Sequence, residues 1–127
     1  MIDFVNDGSR LFLVTGNSGS GKDSVMAGAA GLCPNLCVMT RYITRPAHFS
    51  ESFVSVSEEE FQRLSSGGFF CMHWQSYGLY YGVPSEIDSI LKQGIPVLVN
   101  ISRSVIDGFR KKYPAAKLVF IRADIET

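Results

Sequence analysis

Leu11-Phe12-Leu13-Val14-Thr15-Gly16-Asn17-Ser18-Gly19-Ser20-Gly21-Lys22-Asp23-Ser24 runs from an apolar stretch, through a glycine-rich loop, into the opening of a helix. Gly16 to Lys22 has the spacing G-x-x-x-x-G-K of a loop that cradles phosphate. Leu11 to Val14 reads as a buried parallel strand, and Asp23 to Ala27 as a first helical turn. In such a loop successive backbone N–H groups point at one anion, and the helix N-terminus adds partial positive charge. Lys22 is placed to reach the β- and γ-phosphates of a nucleotide. Gly16, Asn17, Ser18, Gly19, Ser20, Gly21, Lys22, Asp23 and Ser24 form the expected nucleotide-binding set. A plain Gly/Ser connection is the alternative, and the strand–loop–helix context argues against it. The stretch implies that the chain binds a nucleoside triphosphate, or descends from one that did.

Asp23 stands where the commonest form of the loop has the Ser or Thr that ligates magnesium, and Ser24 follows it. Two arrangements stay open. Ser24 takes a phosphate or magnesium-shell role, or Asp23 holds the metal through water.

With 127 residues the chain has the length of one domain and can bury a core. Twelve basic and 12 acidic side chains balance to a formal net charge of zero, so general affinity for nucleic acid is not expected. No apolar run approaches the ~20 residues of a membrane span. Met1 to Arg10 lacks a cationic-then-apolar leader pattern, and the expected setting is cytoplasmic. Cys33, Cys37 and Cys71 are an odd set that could be grouped with His73 as a zinc site. Pro34 and the apolar neighbours favour small buried thiols instead. His48 and His73 read as structural or surface residues.

Apolar runs at Leu11–Thr15, Leu36–Thr40, Ile95–Val99 and Lys117–Ile121 predict buried strands. Helices are expected at Ser24–Ala30, at Ser85–Gln93 with Ser85 as N-cap and Gly94 as terminator, and at Val105–Tyr113 before Pro114. The alternation implies an α/β fold, a parallel sheet flanked by helices. The segment from about Thr44 to Tyr81 breaks it. Phe53 to Val56 reads as a strand, and Ser57 with Glu60 as a capping box opening a helix to Leu64 that Gly67-Gly68 ends. Phe69–Trp74 and Leu79–Gly82 then read as paired strands. One domain over 1–127 with a small αβ insertion at about 44–82 is the expected organisation, the insertion closing over a second substrate.

Arg41-Tyr42-Ile43-Thr44-Arg45-Pro46 is read as leaving the second strand at the carboxyl end, where open α/β sheets bind ligands. Two arginines four apart suit a phosphate held by forked donors. Tyr77, Tyr80 and Tyr81, with Gly78 and Gly82, make a second cluster, and Asn100-Ile101-Ser102-Arg103 leaves the third strand. Each group alone reads equally well as a solvated turn. Their joint position at strand ends beside a phosphate loop favours a site.

These residues carry a resemblance. Gly16 to Ser24, Arg41 to Pro46, His73-Trp74, Gly78 to Val83, Glu86-Ile87-Asp88, Val99-Asn100 and Ser102-Arg103 are similar to the guanylate kinase superfamily of P-loop NTPases. Within it, the chain most resembles the ribose 1,5-bisphosphate phosphokinases. The resemblance implies a guanylate-kinase-like parallel sheet with an acceptor-binding insertion, and ATP and Mg²⁺ as cofactors. It implies transfer of a phosphoryl group from ATP to ribose 1,5-bisphosphate, giving 5-phospho-α-D-ribose 1-diphosphate (PRPP), in phosphonate metabolism. Lys22, Arg41 and Arg45 are the expected catalytic residues. Arg41, Arg45, Tyr80, Tyr81, Asn100 and Arg103 are expected on the acceptor, and Ser24 at the metal.

The chain departs from guanylate kinases where they read the guanine edge. Met72 stands in place of one acid, and Asn100-Ile101-Ser102 in place of another, so guanine donors would go unpaired at about 1–3 kcal/mol each. A phosphate acceptor is already anionic and needs no general base. Glu51 is a weaker site candidate. A nucleotide kinase and a non-catalytic binding module or inactive fragment are the competing readings, though such modules commonly lose the lysine kept here as Lys22. At the carboxyl end, Asp124 to Thr127 opens a helix and stops, whereas related kinases continue with an arginine-rich lid, a last strand and a last helix. The expectation is a chain without these parts, with weak ATP binding, little turnover and an exposed sheet edge that favours association between copies.

Overall fold

The computed structural model describes residues 8–16, 22–46 and 53–121. In chain order the elements are β1 (Leu11–Gly16), α1 (Lys22–Leu32), β2 (Cys37–Val38), β3 (Arg41–Ile43), β4 (Phe53–Ser55), α2 (Glu58–Ser66), β5 (Phe70–Ser76), β6 (Leu79–Pro84), α3 (Glu86–Lys92), β7 (Val97–Asn100), α4 (Ile106–Lys112) and β8 (Lys117–Ile121). A 3-10 turn, Arg103–Val105, precedes α4. Two compact units result, Met1–Val38 with Ile90–Thr127, and Met39–Ser89.

In the first unit the strand order is β2-β7-β1-β8 and every pairing is parallel, with Leu13 opposite both Val99 and Leu118. Strands in the middle of a parallel sheet are covered on both faces, which is why β1 and β7 are nearly continuous apolar runs. Leu11, Leu13, Val97 and Val99 are fully buried. On the alternate face Val14 and Leu98 pack with Met26 of α1, joined by Phe12, Leu36 and Val119. Each such aliphatic side chain contributes roughly 1.5–3 kcal/mol on burial. Phe109 of α4 stacks with Tyr113 at 6.4 Å between ring centroids, and both are buried. The helix ending at Lys92 stops as the sequence predicts. Gly94 N–H donates to Leu91 O, and Ile95 N–H to Ile90 O, around a φ of +79° that glycine alone adopts cheaply. Among the described residues no helix is long and apolar enough to cross a membrane.

The second unit has a mixed sheet, ordered β4-β3-β6-β5. β3 runs parallel to β4 and antiparallel to β6, and β5 and β6 form a hairpin. Ser76 pairs with Leu79 across the two-residue turn Tyr77-Gly78, whose φ values of 50° and 78° match the right-handed twist of the hairpin strands. Ser57 caps α2, its Oγ accepting from Glu60 N–H at 3.1 Å. The Glu60 carboxylate turns to Arg63, so only half of the capping box forms.

One sequence expectation is corrected. Arg41 to Ile43, read as running off the carboxyl end of the second strand, form a strand of their own, β3, an inner strand of the second sheet. Tyr42 lies opposite Gly82 and Ile43 opposite Tyr81, a pairing partner far along the chain. Three residues are too few to show the alternation by which a strand is recognised.

Candidate functional site

In the first unit Gly16 closes β1 at its carboxyl end, opposite Ile121 of β8. Lys22 begins α1 and is half-buried; Ser24 lies exposed in the first turn. Asn17, Ser18, Gly19, Ser20 and Gly21, together with the side chain of Asp23 and all of Glu51, lie outside the described residues. Asn100 ends β7 opposite Val14 and is buried to 9% exposure, and Ile101 N–H donates to Val14 O at 2.9 Å. Arg103 holds its guanidinium 4.5 Å from the Phe120 ring centroid. The carboxyl ends of three adjacent parallel strands therefore bring Gly16 and Asn100 to one edge of the sheet, where α/β sheets bind their ligands.

Strand alternation sorts the second unit into two faces. Tyr42, Tyr80 and Gly82 share one, against α2. There Phe61 is 1% exposed and stacks on Phe70 at 4.7 Å, with Tyr80 at 5.5 Å. Gly82 is required at this point, because a Cβ would come within 2.5 Å of the Phe70 ring. The register puts Arg41, Ile43, Tyr81, Trp74 and Phe53 on the other face.

On that second face the polar groups gather around Tyr81. An Arg45 guanidinium nitrogen donates to Tyr81 Oη at 3.2 Å. The Arg41 guanidinium lies 5.7 Å from the Tyr81 ring centroid, and that of Arg45 lies 5.5 Å from Phe53. Thr44 fixes the chain between the arginines, donating its N–H to Tyr80 O and accepting from Tyr80 N–H at Oγ1, 2.9 Å away. The Arg45 carbonyl accepts from Ser55 Oγ. Two planar cations and a phenol on one surface can receive a phosphate through forked and single donors.

The structure thus brings Arg41, Arg45 and Tyr81 together and does not bring Tyr80 to them. Tyr80 packs on Phe61, because adjacent residues of a strand point to opposite faces. Tyr77 is fully exposed at the hairpin tip. Cys33, expected to be buried, is exposed, while Cys37 and Cys71 are half-buried; none of the three is in a disulfide. Among the described residues no three His, Cys, Asp or Glu side chains are grouped to hold a metal. Sequence reasoning gave Trp74 no role, yet its ring stacks on Tyr81. The signal was available: counting back symmetrically from Tyr81 through the turn at Tyr77-Gly78 reaches Trp74.

No family model matches the chain. A protein of Rhodopseudomonas palustris named ribose 1,5-bisphosphate phosphokinase PhnN is 38% identical over 120 residues, covering 92% of this chain and 62% of the relative. A protein of the same name from Ruegeria is 46% identical over 97 residues, covering 76% of this chain and 51% of the relative. A third, from Thiobacillus denitrificans, is 39% identical over 121 residues, covering 92% and 64%. The chain therefore spans less than two thirds of the length of these curated relatives. In fold it is similar to the guanylate kinase of Anaplasma phagocytophilum, with a TM-score of 0.72 and 22% identity over 87% of this chain and 58% of the other. The expected α/β fold of the guanylate kinase type is borne out, and over most of its length the chain is a homologue of proteins named ribose 1,5-bisphosphate phosphokinase.

Proposed function

We propose that this protein is a kinase that transfers the γ-phosphoryl group of ATP to the 1-phosphate of ribose 1,5-bisphosphate, giving 5-phospho-α-D-ribose 1-diphosphate and ADP. The observation that carries the reading is the gathering of Arg41, Arg45 and the Tyr81 hydroxyl on one sheet face. The name shared by the relatives supports the same choice.

An oxygen of the acceptor phosphate, anionic at neutral pH, attacks the γ-phosphorus. The bond to the bridging oxygen breaks, and its electron pair leaves with ADP. No proton has to move, so positioning and charge neutralisation carry the catalysis. Lys22, at the first residue of α1, fits a role beside the β- and γ-phosphates. Mg²⁺ on the ATP phosphates would supply further neutralisation, and the Ser24 hydroxyl in the first turn of α1, or Asp23 through water, would hold it. Arg41, Arg45 and Tyr81 receive the acceptor. Asn100 and Arg103 are assigned to the acceptor on their sequence position at the end of β7. Tyr80 is given no acceptor role. The reading extends to a cytoplasmic setting and one kinase domain in which residues 39–89 form the acceptor-binding unit.

The test is ADP release in a coupled assay with ribose 1,5-bisphosphate or GMP as acceptor. The sugar bisphosphate should turn over faster; faster turnover of GMP overturns the reading.

A further inference from the structure

We propose that Trp74 is a positioning residue, holding the Tyr81 ring so that the Tyr81 hydroxyl and the Arg45 guanidinium face one acceptor phosphate. The proposal rests on the acceptor reading of this sheet face. Trp74 and Tyr81 are direct cross-strand partners of β5 and β6. Their rings are parallel within 2°, with centroids 5.5 Å apart, and Trp74 is 7% exposed. Cross-strand aromatic pairs of this kind are the units that stabilise a sheet face. Here the stack also sets the plane of a ring that carries a functional hydroxyl.

The Tyr81 oxygen lies on the axis about which the ring turns, and a phenol O–H prefers the plane of its ring, so a stack that fixes the plane aims the hydroxyl hydrogen. Tyr81 Oη accepts from Arg45, which leaves the hydroxyl hydrogen to be donated to an anion. Arg41 lies against the same ring. A side chain at position 74 thus acts on three phosphate donors through Tyr81 without touching the ligand. An aliphatic residue would keep the position apolar but would not hold the ring plane, whereas phenylalanine would retain a stack.

The probes are ribose 1,5-bisphosphate and inorganic phosphate, each titrated calorimetrically into the full chain, with ATP titrated in parallel. Trp74→Leu should weaken both phosphate probes about three- to tenfold, the range expected for loss of an aromatic pair. ATP affinity should stay within twofold, and Trp74→Phe should recover most of the lost phosphate affinity. In a Tyr81→Phe background, Trp74→Leu should add little, because the hydroxyl it aims is gone. The native fluorescence of the wild type should change on phosphate binding, since Trp74 is the sole tryptophan. Wild-type phosphate affinity in Trp74→Leu, equal loss of ATP and phosphate binding, full additivity with Tyr81→Phe, or no phosphate binding by the wild type would each overturn the proposal. Preference for GMP in the ADP assay would end the sugar-bisphosphate reading alone, while the inorganic phosphate titration still decides for or against Trp74.

Discussion

β7 is buried on both faces along its whole length, whereas β6 packs Tyr80 under α2 and turns Tyr81 toward two arginines. A strand covered on both sides can present chemistry only at its end, and in the first unit Gly16 and Asn100 stand at strand ends. In the second unit the face away from α2 also buries Ile43, Trp74 and Val83, and the half-buried Tyr81 is where its hydroxyl meets Arg45. On the proposed reading, the parallel sheet would meet phosphate at its strand ends and the start of α1, and the mixed sheet through arginine and tyrosine side chains.

Phe61→Ala is the harshest test of that contrast. Phe61 anchors the covered face of the second sheet, and its removal should cost about 3–5 kcal/mol of unfolding free energy. Urea denaturation measures it, and a cost below about 1 kcal/mol would mean that this aromatic layer does not hold the sheet. Next come the two cations. Lys22→Ala should lower kcat/KM about a hundredfold or more through lost ATP stabilisation. Arg45→Ala should raise the acceptor KM about tenfold or more, as expected for a charged hydrogen-bond donor, with ATP binding nearly intact. Equal loss of ATP affinity in both variants would erase the division between the units. The smallest effect is expected at Tyr80. Tyr80→Phe should change stability by no more than about 0.5 kcal/mol and leave the acceptor KM within twofold, because its ring faces α2. A several-fold rise in KM would return Tyr80 to the acceptor site.

Much of the first sheet was legible because a strand buried on both faces announces itself as an apolar run, as Leu11 to Val14 and Val97 to Val99 do. The loop spacing from Gly16 to Lys22 and the cap at Ser57 were legible for a related reason, since each is a local pattern with a local cause. β3 was not, because three residues acquire strand character only from a partner that arrives at Tyr81 and Gly82. Tyr80 and Tyr81 were grouped by adjacency, although adjacency in a strand separates side chains onto opposite faces. Trp74 was missed although the count through the turn at Tyr77-Gly78 reaches it. A lone tryptophan in an apolar strand reads as core until the register shows which ring it supports.

The order in which the strands pair bears on how the chain is made. Every pairing of the second sheet falls between Arg41 and Pro84, whereas β1 must wait for Val97 and Lys117. Synthesis proceeds from the amino end, so the inserted sheet can be complete on the ribosome while β1 still has no neighbour. Distant pairings are also the slow ones to form. The apolar run at Leu11 to Val14 is therefore synthesised before either strand that flanks it, and until those arrive it is the kind of exposed apolar segment that invites misassociation.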